Sequence, residues 1–132
     1  MKKYNLDHFQ KTDWTFLLLK KNKIIYRSKK ERLQPLIFCL KNKKALLKGA
    51  TVYDKIVGRA AALLMIYGKI KSVSTPIISR SALKEFGKTN IKVEYGATTG
   101  RIMNKKGDDT CPMEKLSQNK KPGQFFLIMM EK

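Results

Sequence analysis

Along the 132-residue chain, apolar positions switch repeatedly between a period of two and a period near 3.6. Residues 5–12 read as a short N-terminal helix. Residues 14–20 and 23–27 are rich in aromatic and β-branched side chains and are separated by Lys21-Asn22, which is a hairpin signal. Leu33, Leu36, Ile37, Leu40 and Leu47 follow helical spacing, with Pro35 tolerable in a first turn and Gly49 ending the helix. Residues 50–53 then read as a third strand, and 55–67 as a long helix stopped by Gly68. A fourth strand is expected at 70–74, a helix at 79–86 ended by Gly87, and a fifth, alternating strand at 91–95. Residues 97–110 read as a polar loop, followed by short helices at 112–119 and 122–131.

The order β-β-α-β-α-β-α-β followed by helices implies parallel neighbours joined by right-handed crossovers, with an antiparallel hairpin at one side. The expected fold class is α/β: a three-layer α/β/α sandwich on a mixed five-stranded sheet. Residues 1–132 fit one domain, large enough to bury roughly 68% of its unfolded surface. No internal repeat or linker interrupts it. The apolar tail at 125–130 has two possible places, against the domain itself or against a second subunit, so the oligomeric state stays open.

Composition changes the picture in two ways. Cys39 and Cys111 sit in unlike settings and make no disulfide framework, which favours a reducing interior. The N-terminal Met1-Lys2-Lys3-Tyr4-Asn5 has no apolar run of a signal peptide, and nothing approaches the ~20 residues needed to span a bilayer. A cytoplasmic protein with no membrane partner is expected. The formal net charge is +19, yet only five of the 29 basic residues are arginine. Arginine is the residue that grips phosphate and base edges bidentately. Lysine spread evenly beside many Ile and Asn reads as the codon bias of an AT-rich genome. It would still attract polyanions in a salt-dependent way, so nucleic acid remains a possible partner.

If strands three to five are parallel, the segments after them share one edge of the sheet. Those segments contain Asp54, Lys55, Gly58, Arg59, Arg80, Arg101 and Asn104, including three of the five arginines. Such clustering points to a site for a small anionic ligand carrying phosphate or carboxylate. Arg59 sharpens this, because a cation in the first turn of a helix opposes the helix dipole by roughly 0.3–1 kcal/mol unless an anion is near. That anion is either a ligand or an internal carboxylate, Asp54 at a plausible N-cap or Glu94. Gly58 permits close approach of a ligand or of the sheet. No phosphate-loop or dinucleotide glycine pattern is present.

The second candidate is Cys111-Pro112-Met113-Glu114. Proline at the first helical position makes Cys111 the N-cap, where a helix terminus favours thiolate, and Glu114 is placed to reach back to the Cys111 N–H. The alternatives are a nucleophilic cysteine and a simple helix start, for no base partner is identifiable. Asp108 and Asp109 either bind magnesium or shape a turn beside Gly107, and His8 reads as a surface residue.

The segments 49–64, with Val57-Gly58-Arg59-Ala60-Ala61-Ala62, together with Arg101-Ile102-Met103-Asn104 and Cys111-Pro112-Met113-Glu114, resemble an uncharacterised bacterial family, domain of unknown function 1893. The resemblance covers about residues 14–114 and implies a cytidine-deaminase-like fold. It does not imply deaminase activity. Zinc deaminases need His-x-Glu or Cys-x-Glu at one helix start and Pro-Cys-x-x-Cys at the next, whereas here stand Gly58-Arg59-Ala60 and Ser79-Arg80-Ser81. No metal and no cofactor is therefore expected. The leading expectation is a metal-free binder of an anionic, nucleotide-like metabolite held by Arg59 and Arg101, with Asp54 bonding ligand or Arg59 and Cys111 lining the pocket. The alternatives are an enzyme using Cys111 with Glu114 as helper, and a basic RNA- or DNA-binding protein.

Overall fold

The computed structural model describes residues 3–131, so Met1 and Lys2 of the N-terminal reading, and Lys132, lie outside the described residues. After the short helix α1 (Leu6–Gln10), strands β1 (Phe16–Lys20) and β2 (Lys23–Ser28) form the expected antiparallel hairpin. Its turn residues Lys21 and Asn22 both have positive φ, 50° and 63°, which is what a two-residue turn matching the sheet twist demands. The expected helix over 33–47 is divided into α2 (Gln34–Asn42) and α3 (Lys44–Leu47), because Lys43 leaves the helical region at φ −141°, ψ 39°.

Strand β3 (Thr51–Asp54) is followed by β4 (Ile56–Val57), and helix α4 begins only at Arg59 (Arg59–Tyr67). The expectation of a helix from Lys55 is corrected here. Ile56 and Val57 are β-branched, and they pair with Ile77 and Ile78 instead of entering the helix. Next come β5 (Ser72–Ser79), α5 (Arg80–Phe86), β6 (Lys92–Thr99), α6 (Pro112–Ser117) and α7 (Pro122–Met130). Two strands are longer than their sequence patterns: β5 continues through Pro76, and β6 reaches Thr99, so the polar loop starts at Gly100.

The sheet runs β2-β1-β3-β5-β4, with β6 on the other edge of β5. β3 and β4 keep one register along β5 (Val52 opposite Val73, Val57 opposite Ile78), so they are two halves of a single interrupted strand. The mixed sheet thus has six segments but is five strands across. The gap at Asp54-Lys55 faces Thr75-Pro76. Proline has no N–H to donate, and the Thr75 hydroxyl instead bonds the Ile77 carbonyl at 2.9 Å. Lys55 N–H turns the other way, to the Thr15 carbonyl at 3.2 Å.

β3/β4, β5 and β6 are parallel and follow one another in one direction across the sheet. Right-handed crossovers then put α4 and α5 on the same face, where they pack together with α2, α6 and α7 around α4. The expected three-layer sandwich is corrected accordingly. Among the described residues the one helix on the opposite face is α1, whose Phe9 packs with Leu17, Leu19 and Tyr53. Ala60 through Met65 of α4 are all buried, as an apolar helix enclosed on every side requires. The apolar tail lies against its own domain: Phe125 and Met129 of α7 enter the main core. Beyond the reach of α1 the second face is bare, and Ile56 and Ile77 are 38% and 39% exposed. No helix among the described residues is long and apolar enough to cross a membrane.

Candidate functional site

The strand interruption opens a cavity of about 690 Å³ between the bare sheet face and the segment 101–105. Its apolar wall is Ile56, Ile77, Ala97, Ile102 and Met103, and Arg32, Arg101 and a Lys105–Glu31 ion pair (2.6 Å) stand at its rim. Asp54 lies in this wall and also in a contiguous annex of about 40 Å³, room for about one water. Gly58, Cys111 and Glu114 line the annex on its far side. Asp54 is buried, and burial pushes its carboxyl up to about 8 against the pull of backbone N–H groups, chiefly that of Ile56, which favours the protonated form at neutral pH.

The sequence-derived residues divide into three groups. Asp54 and Arg101 meet at the large cavity. Arg101 uses one guanidinium nitrogen on the Thr110 hydroxyl, 3.2 Å. Lys55 lines the same cavity, but its ammonium is bonded to the carbonyls of Phe9 at 2.9 Å and Thr12 at 2.8 Å and sits 4.4 Å from the centre of the Phe9 ring. It ties α1 to the sheet. Burial lowers its pKa, with Asp13 opposing.

Gly58, Cys111 and Glu114 meet at the annex. Gly58, not Asp54, is the N-cap of α4. The Glu114 carboxylate does not reach back to the Cys111 N–H, which is bonded to the Ile102 carbonyl. It crosses instead to α4, accepting from Arg59 N–H at 2.8 Å and Ala60 N–H at 2.6 Å. A Cβ on residue 58 would stand 2.0 Å from the Glu114 Oε1, so glycine is what admits this carboxylate. Burial raises the Glu114 pKa, and the two backbone donors pull it down. The internal anion opposite the α4 dipole is therefore Glu114, neither Asp54 nor Glu94. Cys111 is buried, caps α6 without a side-chain bond, and has no histidine beside it in the annex.

Arg59, Arg80 and Asn104 stand apart from the cavity. Arg59 faces away from it: its side chain is ion-paired with Glu85 and donates to the Ser117 and Lys120 carbonyls, both at 3.0 Å. The expected gathering of three arginines at one rim is thereby corrected, since the crossover helix turns Arg59 toward α5 and α6. Burial alone would raise the Glu85 carboxyl, but hydrogen bonds from Arg59 and Lys88 bring it below its usual value. Arg80, exposed at the start of α5, lies beside Gly100. Asn104 closes the 104–109 turn through bonds with Asp108, and its side chain is spent there.

Sequence reasoning missed Arg32, which reaches the Met103 carbonyl at 3.1 Å. Its positive φ of 56° in a polar segment leaves no periodic signal. Among the described residues no three His, Cys, Asp or Glu side chains gather as a metal site requires. The heads of α4 and α5 carry no zinc ligand, so the residues present do not fit the metal of the zinc deaminases.

The family model "TM1506: Domain of unknown function (DUF1893)" matches residues 5–132. The chain is similar to the crystal structure of a DUF1893 family protein (TM1506) from Thermotoga maritima. The two share 29% identity over 96% of this chain and 85% of that one, with a TM-score of 0.85. No curated protein matches.

Asp54 generates a test in pH. Its folded pKa, about 8, lies above the ordinary value of 3.8, so its contribution to stability is complete below about pH 4 and is lost by about pH 8. Asp54→Asn keeps the site neutral throughout. Urea unfolding of the variant and the wild type across this range should show the variant gaining by up to about 1.4 kcal/mol per pH unit, then levelling off. A difference independent of pH would remove the protonated carboxyl.

Proposed function

The chain belongs to the DUF1893 family, and we propose that it binds a small anionic, nucleotide-like metabolite in the cavity beside Asp54. The observation that carries this reading is the meeting of a buried carboxyl, an apolar wall and the guanidinium groups of Arg32 and Arg101 in one cavity of about 690 Å³. The apolar wall of Ile56, Ile77 and Ile102 suits a planar ring. Arg32 and Arg101 suit the charged group, and the neutral Asp54 donates one hydrogen bond to the ring.

The same proposal includes a cytidine-deaminase-like kinship of the sheet and bacterial membership. The antiparallel hairpin beside three parallel strands supports the first. Two unpaired cysteines support a cytoplasmic setting.

Thermal-shift and calorimetric titration with nucleoside mono- and diphosphates tests the reading. Binding is expected to raise the melting temperature, and Arg101→Ala is expected to weaken it by about tenfold or more, roughly the loss of one charge-assisted pair. Affinity should fall above about pH 8 in the wild type but not in Asp54→Asn. No ligand response, or one untouched by Arg101→Ala, overturns it.

A second reading rests on Cys111 lining the annex with Asp54 and Glu114, the place a nucleophile would occupy. Burial pushes the Cys39 thiol up to about 11, so a functional Cys111 should be alkylated at neutral pH well before Cys39. Equal, sluggish modification of both removes the thiol reading.

A further inference from the structure

A second cavity, of about 750 Å³, lies on the helical side of the molecule between α5 and the α6–α7 link. Arg59 and Glu85 form its floor, and Lys84, Lys88, Lys120 and Lys121 surround it. Glu85 is already neutralised by Arg59 and by Lys88 at 3.1 Å. Lys84, Lys120 and Lys121 form no ion pair among the described residues, so this concave surface carries an excess of four positive charges. Like charges held together in a recess repel one another, and an anion lying among them relieves that repulsion.

The cavity does not end there. Pro122 is a common wall between it and a third cavity of about 610 Å³, which Lys44, Lys48 and Lys69 line without any acidic side chain. Tyr67 lies in the same wall and stacks on Phe126 at 4.1 Å between ring centres, with the Lys44 ammonium 4.8 Å from the Tyr67 centre. Helix α7 starts at this junction with no acid in its first turn. The result is a basic track of two adjoining recesses that meet at Pro122, with Tyr67 in the wall of the second.

We propose that this track, from Lys84 and Lys88 past Pro122 to Lys48 and Lys69, binds a single strand of nucleic acid through its phosphates. Three features select that ligand. The cations extend over two joined recesses, which a chain of phosphates can follow and one compact anion cannot. Most are lysines, point charges that recognise a charged backbone and not a base edge. Tyr67 lies in the wall of the second recess, and its ring, backed by Phe126 and covered by the Lys44 ammonium, becomes a surface for an unpaired base when Lys44 turns to a phosphate. The track shares no residue with the cavity beside Asp54, so either can be lost without the other.

The test is fluorescence anisotropy with labelled oligothymidylate and oligouridylate of about 12 nucleotides, at roughly 50–200 mM salt. Lys48, Lys69, Lys84 and Lys121, all exposed, are replaced by alanine. A control variant of equal net charge replaces Lys11, Lys23, Lys92 and Lys106, which are exposed and lie off the track. The wild type should bind both strands with a steep salt dependence. The track variant should lose at least about tenfold in affinity and flatten the log–log salt slope by about 3, while the control loses less than about threefold. The pair Lys84→Ala and Lys121→Ala gives the same comparison at half the charge if the fourfold variant folds poorly. Equal losses in both variants, absence of binding at low salt, or displacement of the strand by inorganic tripolyphosphate at matched phosphate concentration would each overturn the proposal.

Discussion

The start of α4 is held by one carboxylate. Glu114 leaves its own helix and accepts two of the four N–H groups that every helix leaves unbonded at its head. Its charge also opposes the positive end of the helix dipole, an interaction worth about 0.3–1 kcal/mol at exposed sites and more where burial removes water. The contact exists only because residue 58 has no side chain. Arg59 acts in the opposite direction from the same place: its backbone is held by α6, while its guanidinium grips the α6–α7 link through the Ser117 and Lys120 carbonyls. α6 and the start of the α6–α7 link are thereby fastened to the head of the central helix, while α7 packs along that helix and sends Phe125 and Met129 into the core.

That corner also divides the molecule chemically. On one side of residues 58–60 lies the annex with Asp54, Cys111 and Glu114, opening onto an apolar recess where the sheet is bare. On the other lies the lysine-rich recess floored by Arg59 and Glu85. The first exists because β3 and β4 part at Asp54-Lys55 opposite Pro76, leaving a buried carboxyl with backbone donors but no cation. Its proton is a consequence of that isolation. The second exists because the carboxylate that lines it, Glu85, is already spent on Arg59 and Lys88.

Much of the fold was legible in local pattern. Lys21-Asn22 marked a tight hairpin, Gly68 and Gly87 ended helices where expected, and the all-apolar run after Arg59 announced an enclosed helix. What escaped was set by partners distant in sequence. Ile56-Val57 looked like a helix start until Ile77 and Ile78 stood opposite them. The fourth strand was expected to end at Ser74, whereas it runs on past Pro76, which sits at a gap in the ladder. Asp54 was legible as a candidate from its place at the end of a strand, and it does line the cavity there. Arg59 was legible as a cation needing an anion, but its partners Glu85 and Glu114 lie 26 and 55 residues on, and no spacing rule reaches that far. Arg32 carried no signal at all, since its position depends on a left-handed turn.

The most direct test of the corner is a double-mutant cycle in urea unfolding, with Gly58→Ala measured alone and in a Glu114→Ala background. A methyl group at 58 collides with the carboxylate first and with Ile102 second. Removing Glu114 should therefore reduce the cost of Gly58→Ala, with a coupling of at least about 1 kcal/mol. Costs that add to within about 0.5 kcal/mol would contradict the claim that Glu114 and Gly58 form one contact that holds the head of α4.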